Sequence, residues 1–222
     1  MSQFRPQSFS LLPPVIKNLL IINGLMYLLT VSDLALDNGF SFDKYFALYH
    51  WNSEFFRPWQ FITYMFMHAD IWHLIFNMFG LWMFGYVIEN LWGSKRFLNY
   101  YLLTGVGSAL FFLITKEIQI QPYLDNVPQD VLNSFYNIRI VGASGAVYAV
   151  LMAYGLTFPN NIVHLYFVLP VKMKWFITGL IVYSIFRETT GSQDGIAHLA
   201  HLGGMLIGFV IIKYWKKNNY LY

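Results

Sequence analysis

Ile140-Val141-Gly142-Ala143-Ser144-Gly145-Ala146-Val147-Tyr148-Ala149 holds a serine between glycines, where a polar loop turns into an apolar helix. Pro159-Asn160-Asn161 closes that helix, so Gly145 to Phe158 makes about 14 residues, or roughly 21 Å at 1.5 Å per residue. A hydrocarbon core is about 30 Å thick. The helix is too short to span it, and with its far end at one interface its start lies roughly 9 Å below the other. Non-helical backbone at Gly142-Ala143 then sits at membrane depth, where it is tolerated only if it is buried in protein or lines a wet cavity. The free N–H groups and positive dipole end of the helix point into that cavity. Such a pocket suits an oxyanion, and Ser144 reads as a nucleophile inside a membrane.

Composition agrees. The 222 residues are 57% hydrophobic, 20% aromatic and 11% charged, against about 25% charged in an ordinary globular domain. Mean hydropathy is +0.46. That length has room for about six spans and little else. A net charge of +3 without a basic run speaks against nucleic acid. The absence of cysteine excludes a thiol nucleophile and a disulfide framework. No small-residue cleavage site follows the first apolar run, which reads as a retained helix.

In chain order, a polar lead over 1–14 precedes a first span from Val15 to about Leu34. An aromatic-rich connection, suited to the headgroup level, runs from Asp33 to Met67. The second span runs from about Asp70 to Trp92 and the third from about Phe97 to Ile114. A polar loop from Lys116 to Val141 leads into the short fourth helix. A fifth runs from about Met173 to Phe186 and a last from Gly195 to Tyr214, leaving 215–222 as a tail. Alternating sides puts nine bases on one face: Arg5, Lys17, Lys95, Arg96, Lys172, Lys174, Lys213, Lys216 and Lys217. Lys44, Arg57, Lys116, Arg139 and Arg187 go to the other. The positive-inside rule makes the first face, and both termini, cytoplasmic.

Depth then sorts the polar residues. Counting from Asp70, His73 and Asn77 lie roughly 5 and 10 Å below the outer surface and one turn apart on a shared face. Counting from Gly195, His201 lies roughly 9 Å down. Ser144, Asn77 and His201 thus share a layer in which polar groups normally face a cavity and mark function. Each has a plainer role available. Ser144 could be an N-cap, and His201 or Asn77 could join two helices. His68 and His198 fall nearer the surface as wetted or structural residues, and Glu89 and Trp59 read as interfacial or packing residues. Gly145-xxx-Ala149-xxx-Ala153 and Ala200-xxx-Gly204-xxx-Gly208 are small-residue stripes that allow close helix packing. Packed together, they bring Ser144 beside His201.

A neutral histidine within reach activates a serine. No carboxylate shares that depth, so a dyad is implied, with Tyr148, one turn below Ser144, placed to hold the His201 ring by stacking. The Asn77 amide, the His73 ring and the Ser144 N–H are the donors available to a tetrahedral intermediate. This is acyl-transfer chemistry.

Gly142-Ala143-Ser144-Gly145 with Tyr148, Ala200-His201-Leu202-Gly203-Gly204 with Gly208, and His68 through His73-Leu74-Ile75-Phe76-Asn77 resemble the rhomboid family of intramembrane serine proteases. The resemblance covers the chain from the first loop onward. It implies an all-α, six-transmembrane-helix bundle that cleaves transmembrane-helix substrates near their outer ends. By it, Ser144 is the nucleophile, His201 the general base and acid, and His73, Asn77 and the Ser144 N–H the oxyanion hole. Tyr148 supports the histidine, Glu89 is a structural polar group, and the fifth helix with the loop around Thr189 to Gly195 forms a gate and cap. Residues 15–214 form the protease domain. The expected partners are transmembrane protein substrates and membrane lipid, without nucleic acid, metal or cofactor. The expected location is a bacterial inner membrane, with the site opening to the non-cytoplasmic side.

One departure is Trp59-Gln60 where many members have Trp-Arg, which leaves the role of that position open. Two other classes compete. A non-catalytic relative that binds membrane clients would usually lack the serine or the histidine. A metal protein or transporter would use His68, His73, His198 and His201, but no His-Glu-x-x-His occurs.

Overall fold

The computed structural model describes residues 9–36, 41–124, 126–165, 168–190 and 195–218. Among these residues, six helices of 14 residues or more form the bundle: α1 Pro14–Leu36, α4 Ile71–Trp92, α5 Ser94–Ile120, α7 Ser144–Thr157, α8 Met173–Thr189 and α9 Gly195–Lys217. Three short helices, α2 Phe42–Phe46, α3 Gln60–Thr63 and α6 Gln129–Tyr136, lie in the connections. By length and composition four segments can cross a membrane, namely Pro14–Asp33, Ile71–Trp92, Ser94–Tyr123 and His198–Lys217, and Ser144–Thr157 is a shorter apolar helix.

The short α7 is the centre of the bundle. Nine of its 14 residues are buried, and it packs against α4, α5, α8 and α9. A helix buried nearly all round has no outward polar face, which is why its sequence reads as small and apolar throughout. The surrounding helices turn large apolar side chains outward, among them Leu28, Phe76, Ile114, Val182 and Phe186. An apolar exterior of this kind belongs against lipid.

Local signals set the helix ends. Asp70 caps α4 by accepting from the His73 N–H at 2.9 Å. Pro14 opens α1, where a missing N–H costs nothing. The α1 start is further fixed from a distance. Glu89 of α4, only 1% exposed, accepts from the Val15 and Ile16 N–H groups at 2.9 and 2.8 Å and from Ser94 Oγ at 2.6 Å. Glu89 is therefore a buried cap for another helix rather than an interfacial residue.

Several boundaries differ from the sequence reading. The third long helix starts at Ser94 and continues to Ile120, and the loop after it contains α6. Its polar residues alternate with Leu132 and Tyr136, which are buried. The fold is not purely helical, because Ile162–Leu165 (β1) and Leu169–Lys172 (β2) pair as an antiparallel hairpin between α7 and α8. The last helix runs past Tyr214 to Lys217.

The first connection folds around Gln60. Its side chain is fully buried, its Oε1 accepts from the Tyr49 and Arg57 N–H groups, and its Nε2 donates to the Lys44 and Phe55 carbonyls. An amide supplies both donors and acceptors there. An arginine would supply donors only.

Candidate active site

Gly142 shapes the entrance to α7. Its φ of 123° is reached easily only by glycine, and its N–H donates to the Tyr64 carbonyl at 2.9 Å. A Cβ at this position would lie 2.8 Å from both Cε1 and Nε2 of His73 and 3.7 Å from Ser144 Oγ. The missing side chain thus makes the space that His73 and Ser144 share. α7 begins at Ser144 itself, after Ala143 in helical conformation and with no side-chain cap. The plainer reading of Ser144 as an N-cap fails. Its hydroxyl forms no hydrogen bond among the described residues, and no side chain caps the first N–H groups of α7.

The histidine arrives through the two small-residue stripes. A Cβ on Gly204 of α9 would overlap the Gly145 carbonyl of α7, and one on Gly208 would lie 3.0 Å from Ala149 Cβ. Backbones in such contact set the register of α9 against α7 to within one residue. With that register, the rings of Tyr148 and His201 stack at 4.1 Å between centroids with 5° between their planes. Behind the pair, Ser108 of α5 donates to the Ala200 carbonyl at 2.6 Å, and a Cβ on Gly145 would meet the same hydroxyl. Ser108 is fully buried. It clamps the residue before His201, a role with no sequence signal because 92 positions separate the partners.

On the other wall, Asn77 is 6% exposed and donates to the His73 carbonyl one turn earlier at 2.9 Å. His73 Nδ1 accepts from the Ala69 N–H at 3.4 Å. His68 is 3% exposed, its ring edge-on to His73 at 5.0 Å, so it is a dry packing partner and not a wetted surface group. The sequence also puts His198 nearer the surface. Its ring instead stands edge-on to His201 at 5.8 Å and to Tyr183 of α8 at 5.3 Å, linking α8 to the histidine. The structure thus brings His73 to Ser144 and Tyr148 to His201. No hydrogen bond joins Ser144 to His201 among the described residues, and His201 Nδ1 is buried without a partner. Among the described residues no three His, Asp or Glu side chains are placed to hold one metal ion. The expected cap, Thr189 to Gly195, falls mainly on 191–194, outside the described residues.

An apolar-faced helical bundle, with a short buried central helix that starts at a serine beside a histidine-containing wall, defines an integral membrane protein with an internal polar site. Residues 56–217 match the family model of the Rhomboid domain, and the chain belongs to the rhomboid family. Among its relatives is Rhomboid protease AarA of Providencia stuartii, 28% identical over 156 residues. RHOMBOID-like protein 12, mitochondrial, of Arabidopsis thaliana is 31% identical over 153. Rhomboid protease GluP of Bacillus subtilis is 30% identical over 157. These matches cover 69%, 67% and 68% of this chain but 54%, 44% and 25% of the relatives. The chain therefore spans about half or less of their length.

Proposed function

We propose that this chain is an intramembrane serine endopeptidase that hydrolyses peptide bonds in transmembrane-helix substrates. Support comes chiefly from the stacking of Tyr148 on His201 one helical turn from Ser144. Catalytic hydrogen bonds are often long before substrate binds, so an unformed Ser144–His201 bond is compatible with the assignment.

In the reaction, His201 takes the Ser144 hydroxyl proton while Oγ bonds to the scissile carbonyl carbon. The carbonyl oxygen becomes an oxyanion, met by the Ser144 N–H, the Asn77 amide and the His73 ring. Collapse breaks the C–N bond, and His201 returns its proton to the departing amine. Water then attacks the acyl-enzyme with His201 again as base, which releases the carboxyl product and restores Ser144. Tyr148 is a positioning residue, since it fixes the plane of the imidazole.

The same reading places six crossings in the membrane, with 15–214 as the catalytic domain, the flanking 1–14 and 215–222 in the cytoplasm, and the site near the outer surface. The excess of bases on one face supports that orientation. A second reading, a non-catalytic protein that binds membrane clients, draws on relatives named only rhomboid-like. The test is cleavage of a single-span substrate by the full chain in vesicles. Product from wild type, absent with Ser144→Ala and with His201→Gln, supports the protease. Substrate capture without product from wild type supports the second reading.

A further inference from the structure

A second cavity lies apart from Ser144. It has a volume of about 740 Å³ between α7, α8 and α9, with a wall of side chains such as Met152, Leu156, Ile177, Ile181, Met205 and Phe209. That volume is within the usual range of about 300–1,000 Å³ for ligand sites. Among the described residues its only charged lining residue is Lys174. Lys174 marks the end of the bundle remote from Ser144, since its N–H donates to the Pro159 carbonyl just beyond α7. The C-terminal part of α9 lies at the same end, because Gly145 and Ala149 of α7 pack in order against Gly204 and Gly208. Lys213 stands there too, its Nζ 5.4 Å from the ring centroid of the lining residue Phe209. Lys172 and Lys216 reinforce the positive charge of this end.

We infer that this groove holds an anionic phospholipid, with an acyl chain along α8 and the phosphate between Lys174 and Lys213. Two features select that occupant. A crevice lined by apolar groups apart from Lys174 and Thr178 and set in a lipid-facing bundle fills with hydrocarbon, because two polar groups at one wall are too few to retain a body of water. Lysines at the mouth then favour a negative headgroup over a zwitterionic one, by roughly fivefold for each lysine near the surface. The lipid lies behind α8, the helix whose Tyr183 touches His198, so its presence bears on where α8 rests. Nothing in this site depends on Ser144 chemistry.

The test is native mass spectrometry of the full chain, delipidated in an uncharged detergent and then exposed to equal amounts of dioleoylphosphatidylglycerol and dioleoylphosphatidylcholine. Wild type should retain the phosphatidylglycerol at a several-fold excess. The double variant Lys174→Gln/Lys213→Gln should lose that excess yet still carry either lipid. Thr178→Trp, which fills the groove from α8, should lose retention of both, with thermal unfolding confirming that each variant is folded. Equal retention of the two lipids by wild type overturns the assignment. So does an excess that survives the double substitution, or lipid retained undiminished by Thr178→Trp.

Discussion

Tyr148 and His201 lie face to face, 4.1 Å between ring centroids and 5° from parallel. One ring comes from the central helix and the other from the last. The stack couples the two side chains, and the imidazole plane is set by an aromatic face instead of a carboxylate. Offset or parallel ring pairs contribute about 0.5–1.5 kcal/mol beyond their area, enough to hold an orientation.

Tyr148→Phe keeps the ring, and the Tyr148 hydroxyl has no hydrogen bond among the described residues to lose. Its cleavage rate should stay within a few-fold of wild type. Tyr148→Ala frees the imidazole and should lower kcat by about 100-fold, the size of effect expected for a displacement of about 1 Å. KM should change little. Steady-state kinetics on a model substrate, normalised to the folded fraction measured by thermal unfolding of each variant, separate this from a folding defect.

Gly204 is the point where α9 rests on the Gly145 carbonyl. Gly204→Ala should cost about 1–3 kcal/mol by overpacking and displace His201 from Ser144. Gly179→Ala on α8 is the control, with nothing within 4 Å of the added Cβ. In a helix that change is neutral or stabilising by up to about 1 kcal/mol. Thermal unfolding should shift down for Gly204→Ala and hold or shift up for Gly179→Ala.

Glu89 ties three segments together at the other end of the bundle. Glu89→Ala leaves the Val15 and Ile16 N–H groups buried without acceptors and should destabilise by about 3 kcal/mol or more, since bonds to a charged acceptor contribute about 1.5–3 kcal/mol each. Glu89→Gln keeps part of the set and should fall between. Both should still react at Ser144 when cold, because Glu89 lies far from that site.

His50, in the first connection, gives a pH dependence. It is 3% exposed and stacked on Tyr136 at 4.8 Å. Its Nδ1 accepts from the Asn52 N–H at 3.3 Å, and its Nε2 lies 3.1 Å from Glu117 Oε2. Burial lowers its pKa below the ordinary value, against the opposing pull of Glu117. A base whose folded pKa is depressed stabilises the fold above its unfolded pKa of about 6.5, and that contribution falls as pH drops toward the folded value. Thermal stability should therefore decline as the pH falls below about 6.5, and His50→Gln should flatten the decline. An unchanged profile would show that the loop does not sense His50.

Features that depend on neighbours along the chain were legible in the sequence. The length of α7 followed from Pro159, and its close packing on α9 followed from glycines four residues apart. Their joint consequence, Tyr148 over His201, was readable because both rings sit at fixed offsets from those glycines. Partners that meet only in space were not legible. Glu89 caps a helix start 74 residues away, and Trp51 Nε1 donates to Glu117 Oε2 across 66. The role of Gln60, where many relatives have arginine, was open in the sequence, and its amide proves to have both a donor and an acceptor in use. The α6 helix was hidden by polar composition, although Val131, Leu132, Phe135 and Tyr136 have helical spacing. In the hairpin strands, Ile162, Val163 and Val171 are β-branched residues of the kind found in strands.

The central claim is that Ser144 is an activated nucleophile. The most direct measurement is fluorophosphonate labelling of the full chain in detergent, with peptide mapping of the adduct, for wild type, Ser144→Ala and His201→Gln. The prediction is a single adduct on Ser144 in wild type and none in either variant. A folded wild type that takes up no label, or labelling that persists in Ser144→Ala, would contradict it.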